Sequence, residues 1–426
     1  MSYTLIASIG TGMYDKIKND STGYRLTTYK FQNNKEITSR LFLFSILESK
    51  NWDINQVILV GSKTSSWDAL IAQDCEENDQ YLNTWMQLVD ECERSNSSGV
   101  SDSSLDLLSE YLSQRFGIKF TLFSHDSIVD NETLHSIFPI YRDIASEIIS
   151  KNSILLDITH GFRSMPMFLY QSLRFSSINQ SFRDVSILYG EYIPGRSVSL
   201  VRDLSKFWEF SEASEAFELF ESSFAGESLA VLLEGWWPKG AAWMKGFTSI
   251  IKTNYVLQIE QSINQLGNAL SSLDVVGLSL WKKEIYVSCT NLYKRFSKLT
   301  CLSEKILVLS DLLLEKQLYT QSIIALQISV ETRIVESAFD SAKIGDYEYW
   351  NAQGGPKEYK YDLQMEHGLY SLRDLEHERN KIAHGGGLDS WKSSPKKDGI
   401  IKYEAVKTYR ESVEILFSLC KVKQKI

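Results

Sequence analysis

The sequence predicts an α/β domain built on a parallel sheet, followed by an all-α region. Two observations carry that reading. Over the first two hundred positions, short apolar runs rich in β-branched and aromatic residues alternate with longer helical patterns, as in a sheet covered by helices on both faces. Past about residue 204 the strand signal stops and helical periodicity alone continues. The length of 426 residues agrees, since at roughly 150 residues per domain it accommodates two or three folding units.

The candidate strands are 3–9, 25–31, 56–60, 118–123, 154–158 and 185–188. Each is short and apolar, as strands buried on both faces should be. Helical patterns fill 36–49, 67–93, 131–150 and 164–176, and 95–104 (SNSSGVSDSS) reads as a solvated loop. Further on, 204–235, 241–264, 279–296, 303–315, 322–339, 363–384 and 401–422 favour helix. Ile323, Leu326, Val330 and Ile334 recur at three and four residues, on one helix face, and Val406, Tyr409, Val413, Leu416 and Cys420 form a heptad seam. Such stripes serve either an intradomain core or a dimer interface. The expected division is 1–204, a helical connector or start of the helical region at 205–320, and a terminal helical domain at 321–426.

Composition excludes several classes. A hydrophobic fraction of 43% can bury real cores, which rules out wholesale disorder. The formal charge of −9 rules out a generally basic nucleic-acid coat, so any such role needs a local site. The five cysteines are odd in number and lack CxxC spacing, against a disulfide framework or zinc knuckle and in keeping with a reducing compartment. The start MSYTLIASIG has no basic end and no long apolar run, unlike a signal peptide. The least polar stretch, 318–330, is too short and polar to span a bilayer. The expectation is a soluble cytoplasmic protein with no membrane partner, no metal and no cofactor.

The most informative stretch is RDLEHERNKIAHGGG, residues 373–387. Arg379, Asn380 and His384 form an R-N-x-x-x-H pattern, and the glycines that follow stop the helix with His384 in its last turn. Five residues of helix rotate the arginine and histidine roughly 140° apart, so they splay. Two such helices meeting about a two-fold axis converge four groups on one cleft. Arginine offers a fixed fork to a phosphate, and histidine exchanges a proton near neutral pH. Together they suit metal-independent RNA cleavage, in which a ribose 2′-hydroxyl attacks the adjacent phosphorus and Asn380 positions an oxygen or a side chain. The plainer alternative is a helix end where His384 favours the carboxyl terminus and Arg379 pairs with Asp374 or Glu376. Residues 392–426 hold nine Lys/Arg against four Asp/Glu, a basic stretch that suits either attraction of an RNA backbone or, for any single lysine, a solvated helix face.

Three polar loops follow predicted strand ends: Gly10-Thr11-Gly12-Met13, Gly61-Ser62-Lys63, and Thr159-His160-Gly161-Phe162-Arg163-Ser164. In an open parallel sheet, ligands bind beyond the carboxyl ends of the strands. Glycines let backbone N–H groups approach phosphates, helix N-termini add positive potential, and Lys63, His160, Arg163 and the hydroxyls add donors. No GxxxxGK[ST] or full GxGxxG is present, which disfavours a conventional NTP or NAD site.

R-N-x-x-x-H closing a helix in a carboxyl-terminal helical domain resembles the HEPN ribonucleases. That resemblance implies Arg379 and His384 as the catalytic pair, Asn380 in support, and an active site shared across a dimer. DITHGFRSMP (157–166), with IGTGMY (9–14) and LYGEY (188–192), resembles the CARF sensor domains of CRISPR-associated proteins, which are Rossmann-like dimers that bind cyclic oligoadenylate across their two-fold axis. The combination resembles the CARF–HEPN ancillary ribonucleases of type III CRISPR systems. It implies single-stranded RNA cleavage in antiviral defence, switched on by cyclic oligoadenylate, tetra-adenylate in preference to hexa-adenylate, in a homodimer or higher homo-oligomer. The alternatives are a non-enzymatic nucleotide sensor that regulates DNA or a protein partner, and a sensor that also degrades its own cyclic ligand with help from Thr11, Ser62, Lys63 and His160.

Overall fold

The computed structural model describes residues 2–12, 24–75, 81–93, 99–127, 131–149, 152–161, 164–177, 184–193, 196–338, 361–362, 364–383 and 403–420. It divides into two compact units, Met1–Glu209 and Phe210–Ile426.

The first unit is organised by an eight-stranded sheet of β1 (Ser2–Ile9), β2 (Thr27–Lys30), β3 (Glu36–Ser39), β4 (Asp53–Ser62), β5 (Lys119–His125), β6 (Ser153–Asp157), β7 (Val185–Glu191) and β8 (Val198–Asp203). Their order across the sheet is β3-β2-β8-β7-β6-β1-β4-β5. The five strands β7, β6, β1, β4 and β5 are mutually parallel, while β2–β3 and β7–β8 are antiparallel. The sheet is therefore mostly parallel, with two reversals that apolar periodicity did not announce. The cause is connection length. Between β2 and β3 the chain turns tightly, with Phe31 N–H donating to Lys35 O at 2.9 Å and Asn34 at a φ of 62°. A turn that short can only reverse the strand, whereas a parallel neighbour needs a crossover of about a dozen residues. The helix expected over 36–49 accordingly begins only at α1 (Phe42–Ser49), its first residues being β3.

The pleat of the sheet explains the continuous apolar runs. Leu5, Ala7, Ile9, Val57 and Leu59 point to one face, where they pack on Phe42 and Ile46 of α1 and on Leu105, Leu108 and Leu112. Ile6, Ile58, Val60, Ile154 and Leu156 point to the other, against Tyr141, Ile144, Leu169 and Leu173. With both faces covered, the centres of β1 and β4, Leu5–Ala7 and Val57–Val60, are continuously apolar. The remaining helices are α2 (Ala72–Cys75), α3 (Leu82–Glu93), α4 (Asp102–Phe116), α5 (Asn131–Glu147) and α6 (Ser164–Ser177). The segment expected as one helix over 67–93 is interrupted, opening with a 3-10 turn at Trp67–Leu70. The solvated loop expected over 95–104 already holds the start of α4, because Ser101 is its N-cap and accepts from Ser104 N–H at 3.3 Å. Serine favours loops and helix caps for the same hydrogen-bonding reason.

The second unit is helical: α7 (Lys206–Ser223, within which the division falls), α8 (Glu227–Leu233), α9 (Pro238–Thr253), α10 (Ile259–Ser271), α11 (Leu280–Phe296), α12 (Leu302–Glu315), α13 (Tyr319–Ala338), α14 (Ser371–Ala383) and α15 (Tyr403–Leu419). Residues 216–325 enclose an aromatic core with Phe220, Phe224, Trp237, Trp243, Phe247 and Phe296 at its centre. A second core gathers Ile323, Leu326, Val330 and Ile334 of α13, Leu372 and Leu375 of α14, and Val406, Tyr409, Val413, Leu416 and Cys420 of α15 and its end. Both stripes read from the sequence are thus packed within the domain. Helix α13 is buried over most of its circumference, Ser322, Gln327, Ser329 and Thr332 included. Its close approach to α12 is sealed by reciprocal bonds, Ser310 Oγ to Ser322 O at 2.8 Å and Ser322 Oγ to Ser310 O at 2.9 Å. Among the described residues no helix is long and apolar enough to cross a membrane.

The α13–α15 core yields a direct test. Leu416 is fully buried, so Leu416→Ala should cost about 2–5 kcal/mol in urea unfolding. Because the contact is intradomain, the loss should not change with protein concentration; a loss that deepens on dilution would assign the stripe to an interface between copies.

Candidate functional site

Strand β1 lies between β4 and β6; after the β2–β3 hairpin at the far edge the chain adds β4 and β5 on one side of β1, then β6 and β7 on the other. Such a reversal opens a crevice at the carboxyl ends of β1 and β6. The register levels those ends, with Ile9 opposite Gly61 and Ala7 opposite Asp157. All three loops singled out in the sequence leave the sheet here.

The loops after β1 and β6 touch. A Cβ on Gly10 would stand 2.9 Å from Gly161 Cα, and one on Gly161 would stand 2.6 Å from Ser8 Oγ. Gly161 also has a φ of +101°, which side-chain-bearing residues rarely adopt. The Ser8 hydroxyl donates to the His160 carbonyl. Tyr24 bridges the first loop, its hydroxyl donating to Gly10 O at 2.8 Å and accepting from Gly10 N–H at 3.0 Å. Ser66 N–H donates to Gly10 O at 2.9 Å, and Ser65 Oγ donates to Ile9 O at 2.9 Å, which fastens the loop after β4 to the same point. Thr11 is exposed and Gly12 has a φ of 58°; Met13 lies outside the described residues.

The second loop contributes differently from its sequence reading. The Ser62 side chain is fully buried, its hydroxyl 3.0 Å from Ser65 Oγ and 3.2 Å from Thr64 Oγ1. It stabilises the turn and offers no free hydroxyl to a ligand. Lys63 Nζ pairs with Asp126 Oδ1 at 3.0 Å, and its backbone N–H donates to His125 O at 2.7 Å. An anionic ligand must compete with that carboxylate for the lysine.

In the third loop, His160 Nε2 accepts the Phe42 N–H at 3.0 Å, so α1 begins on this imidazole. The ring stands edge-on to Tyr24 with centroids 5.1 Å apart. Burial pushes the imidazole down to about 4, keeping it neutral at physiological pH, where it holds the loop and carries no charge to a phosphate. Thr159 Oγ1 accepts from Gly190 N–H at 2.8 Å, and Thr159 N–H donates to Asp157 Oδ1 at 2.8 Å. Ser164 is the first residue of α6, where helix amides lack intrahelical partners; Arg163 lies outside the described residues. Tyr24, Ser8 and Asp157 were not singled out as site residues. Asp157 opens the DITHGFRSMP stretch, but a single Asp at a strand end reads as an ordinary polar stop, and Tyr24 lies ten residues beyond the IGTGMY motif with nothing in the sequence to tie it back.

In the second unit, α14 packs Leu372 and Leu375 into the α13–α15 core. Arg379 follows Leu375 by four residues, about 40° round the helix, so it continues the packed stripe and is partly buried. Its Nη1 donates to Asn380 Oδ1 at 2.9 Å, which fixes the two polar groups of the motif against each other. On the adjoining α15, burial and then the nearby Glu378 and Asp374 raise the Tyr409 phenol. The Ser371 hydroxyl donates to that of Ser412 on α15. His384 lies outside the described residues.

A doubly wound sheet with three interlocked loops at its switch point defines a ligand-binding α/β domain. Residues 4–194 match the family described as the CARF domain of the CRISPR system endoribonuclease Csx1. The CRISPR-associated protein MJ1674 of Methanocaldococcus jannaschii is 25% identical over 264 residues, 58% of this chain, and the match spans 41% of that relative's length. The Csm6 of Enterococcus italicus, solved bound to cyclic hexa-2′-fluoro-hexa-dAMP, superposes with a TM-score of 0.42 at 11% identity, covering 99% of this chain and 94% of that one. The amino-terminal unit is thus similar to a CARF domain, and the chain is similar to a CRISPR-associated protein.

The neutral His160 makes a pH prediction. Its folded pKa, about 4, lies below the ordinary 6.5, so the unfolded chain takes up the proton first and stability is lost as pH falls from about 6.5 towards 4. His160→Gln, which keeps an acceptor for Phe42, should lose less stability over that window in urea titrations. Parallel pH profiles for the two proteins would contradict the assignment.

Proposed function

We propose that the chain is a cyclic oligoadenylate-activated, metal-independent endoribonuclease acting on single-stranded RNA in type III CRISPR defence. The observation that carries the reading is the presence, on one chain, of a CARF-like domain and of the Arg379–Asn380 pair held on the packed face of α14. The CARF match supports sensing of a cyclic oligoadenylate, and the family to which the match belongs is described as an endoribonuclease. The ligand binds at the carboxyl ends of β1, β4 and β6, where the amides of Thr11, Gly12 and Gly161 and the first turn of α6 meet its phosphates. Residues 321–426 form the catalytic domain.

In that domain Arg379 holds the scissile phosphate and stabilises charge on its oxygens. His384 takes the 2′-hydroxyl proton and returns one to the departing 5′-oxygen, leaving 2′,3′-cyclic phosphate and 5′-hydroxyl ends. Asn380, through its hydrogen bond, limits the rotamers open to the guanidinium. The two sets of groups converge in a homodimer. The ligand need only bind one dimer arrangement more tightly than another to raise the population of the active one.

Labelled single-stranded RNA incubated in EDTA should be cut only when cyclic tetra- or hexa-adenylate is added. His384→Ala and Arg379→Ala should each lower the rate by about 100-fold or more with ligand affinity unchanged. Activity that persists in His384→Ala would refute the catalytic assignment; a ligand-dependent shift of duplex DNA without RNA loss would replace the enzyme reading with that of a sensor.

A further inference from the structure

Asp157 ends β6 at the switch point, with β1 on one side and β7 on the other. It is 1% exposed. Its Oδ1 accepts the Thr159 N–H at 2.8 Å, and the Thr159 hydroxyl also bonds to it. Its Oδ2 is buried and, among the described residues, has no hydrogen-bond partner. Among the described residues no cation acts on it, Arg40 being engaged with the Tyr24 carbonyl at 3.0 Å. Tyr29 of β2 faces it, Tyr24 adjoins Tyr29, Asp68 acts on Tyr24, and His160 is neutral. A buried carboxylate with a bare oxygen and no cation is a costly arrangement, and burial raises this one to about 7.

The two oxygens make different demands. Thr159 needs an acceptor at Oδ1, which both protonation states provide. Oδ2 is bare when ionised and becomes a donor when protonated. The loop that Asp157 supports is the one whose Gly161 touches Gly10, where the phosphates of the ligand would lie. Negative charge arriving there opposes the carboxylate and favours the acid.

We propose that ligand binding at the carboxyl ends of β1 and β6 is coupled to uptake of one proton from solvent by Asp157, which removes a buried negative charge directly beneath the loop that the phosphates of the ligand meet. This rests on the reading of the site as one for an anionic cyclic oligoadenylate. Asp157 thus positions the loop through Oδ1 and senses the ligand through its charge, without touching it. The sensor then binds more tightly as the surroundings acidify.

Two measurements separate this inference from the reading beneath it. The first needs no ligand. A carboxyl with a folded pKa above its unfolded one destabilises the fold as pH rises from about 4 to 7, with no further change above. Asp157→Asn should remove that component from the urea-unfolding profile; an identical profile would show that Asp157 does not titrate as required and overturn the proposal. The second is calorimetry with whichever of cyclic tetra- and hexa-adenylate binds more tightly at pH 6. Wild-type affinity should weaken about tenfold between pH 6 and pH 8, with proton uptake visible as a dependence of the heat on buffer ionisation enthalpy. Asp157→Asn, an uncharged mimic of the acid, should bind as wild type does at pH 6 and keep that affinity at pH 8, whereas Asp157→Ala should bind weakly at both. Binding with no pH slope, or the same slope in Asp157→Asn, overturns the proton linkage and leaves the sensor reading standing. No binding of either ring at pH 6 overturns both.

Discussion

The amino-terminal site depends on a contact between two backbones. A Cβ on Gly10 would meet the Gly161 backbone and one on Gly161 would meet the Ser8 side chain, so the two bare backbones let the loop after β1 lie against the loop after β6. The other features of the crevice follow from that contact. Tyr24 can satisfy both backbone groups of Gly10 because the loop is pressed down onto its hydroxyl. Ser8 reaches the His160 carbonyl, and His160 in turn starts α1 by accepting from Phe42. A site for phosphates needs unobstructed amides, and the absence of side chains at these two positions provides them.

The polar side chains near the crevice are mostly occupied in holding it. Ser62 and Ser65 fasten the loop after β4, Thr159 ties the third loop to β7 and to Asp157, and Lys63 is paired with Asp126. Buried polar groups that satisfy one another fix a single conformation of otherwise irregular chain. Among the described residues, the positive potential of the crevice therefore comes from backbone dipoles and helix ends more than from free cations. Asp157 is the exception within this network, since half of its hydrogen-bonding capacity is unused.

Much of this was legible in the sequence, and the parts that were not have identifiable causes. The five parallel strands were readable because both faces are covered, which makes Leu5 through Ala7 and Val57 through Val60 continuously apolar. β3 was read as the start of a helix because Glu36-Ile37-Thr38-Ser39 is too short to show a period, and its strand identity comes from the turn at Asn34. The stripes on α13 and α15 were visible, but periodicity alone does not say what covers a stripe; Leu372 and Leu375 of α14 do. The three loops were found from their glycines and hydroxyls. What sequence did not convey was direction: Ser62 and His160 look like ligand donors and instead face the fold. Tyr24 was invisible because its partner, the Gly10 backbone, is brought to it only by tertiary structure.

The central claim is that the crevice between the β1 and β6 loops is the ligand site and that its form depends on the bare backbone at Gly10. Gly10→Ala isolates it, because the added methyl meets Gly161 Cα at 2.9 Å, backbone that cannot move aside as a flexible side chain would. Isothermal titration of that variant with cyclic oligoadenylate, alongside circular dichroism to establish that the helical unit is intact, is the most direct measurement. The account predicts a folded protein whose affinity for the ring falls by a factor of ten or more. Wild-type affinity in the folded variant would contradict it.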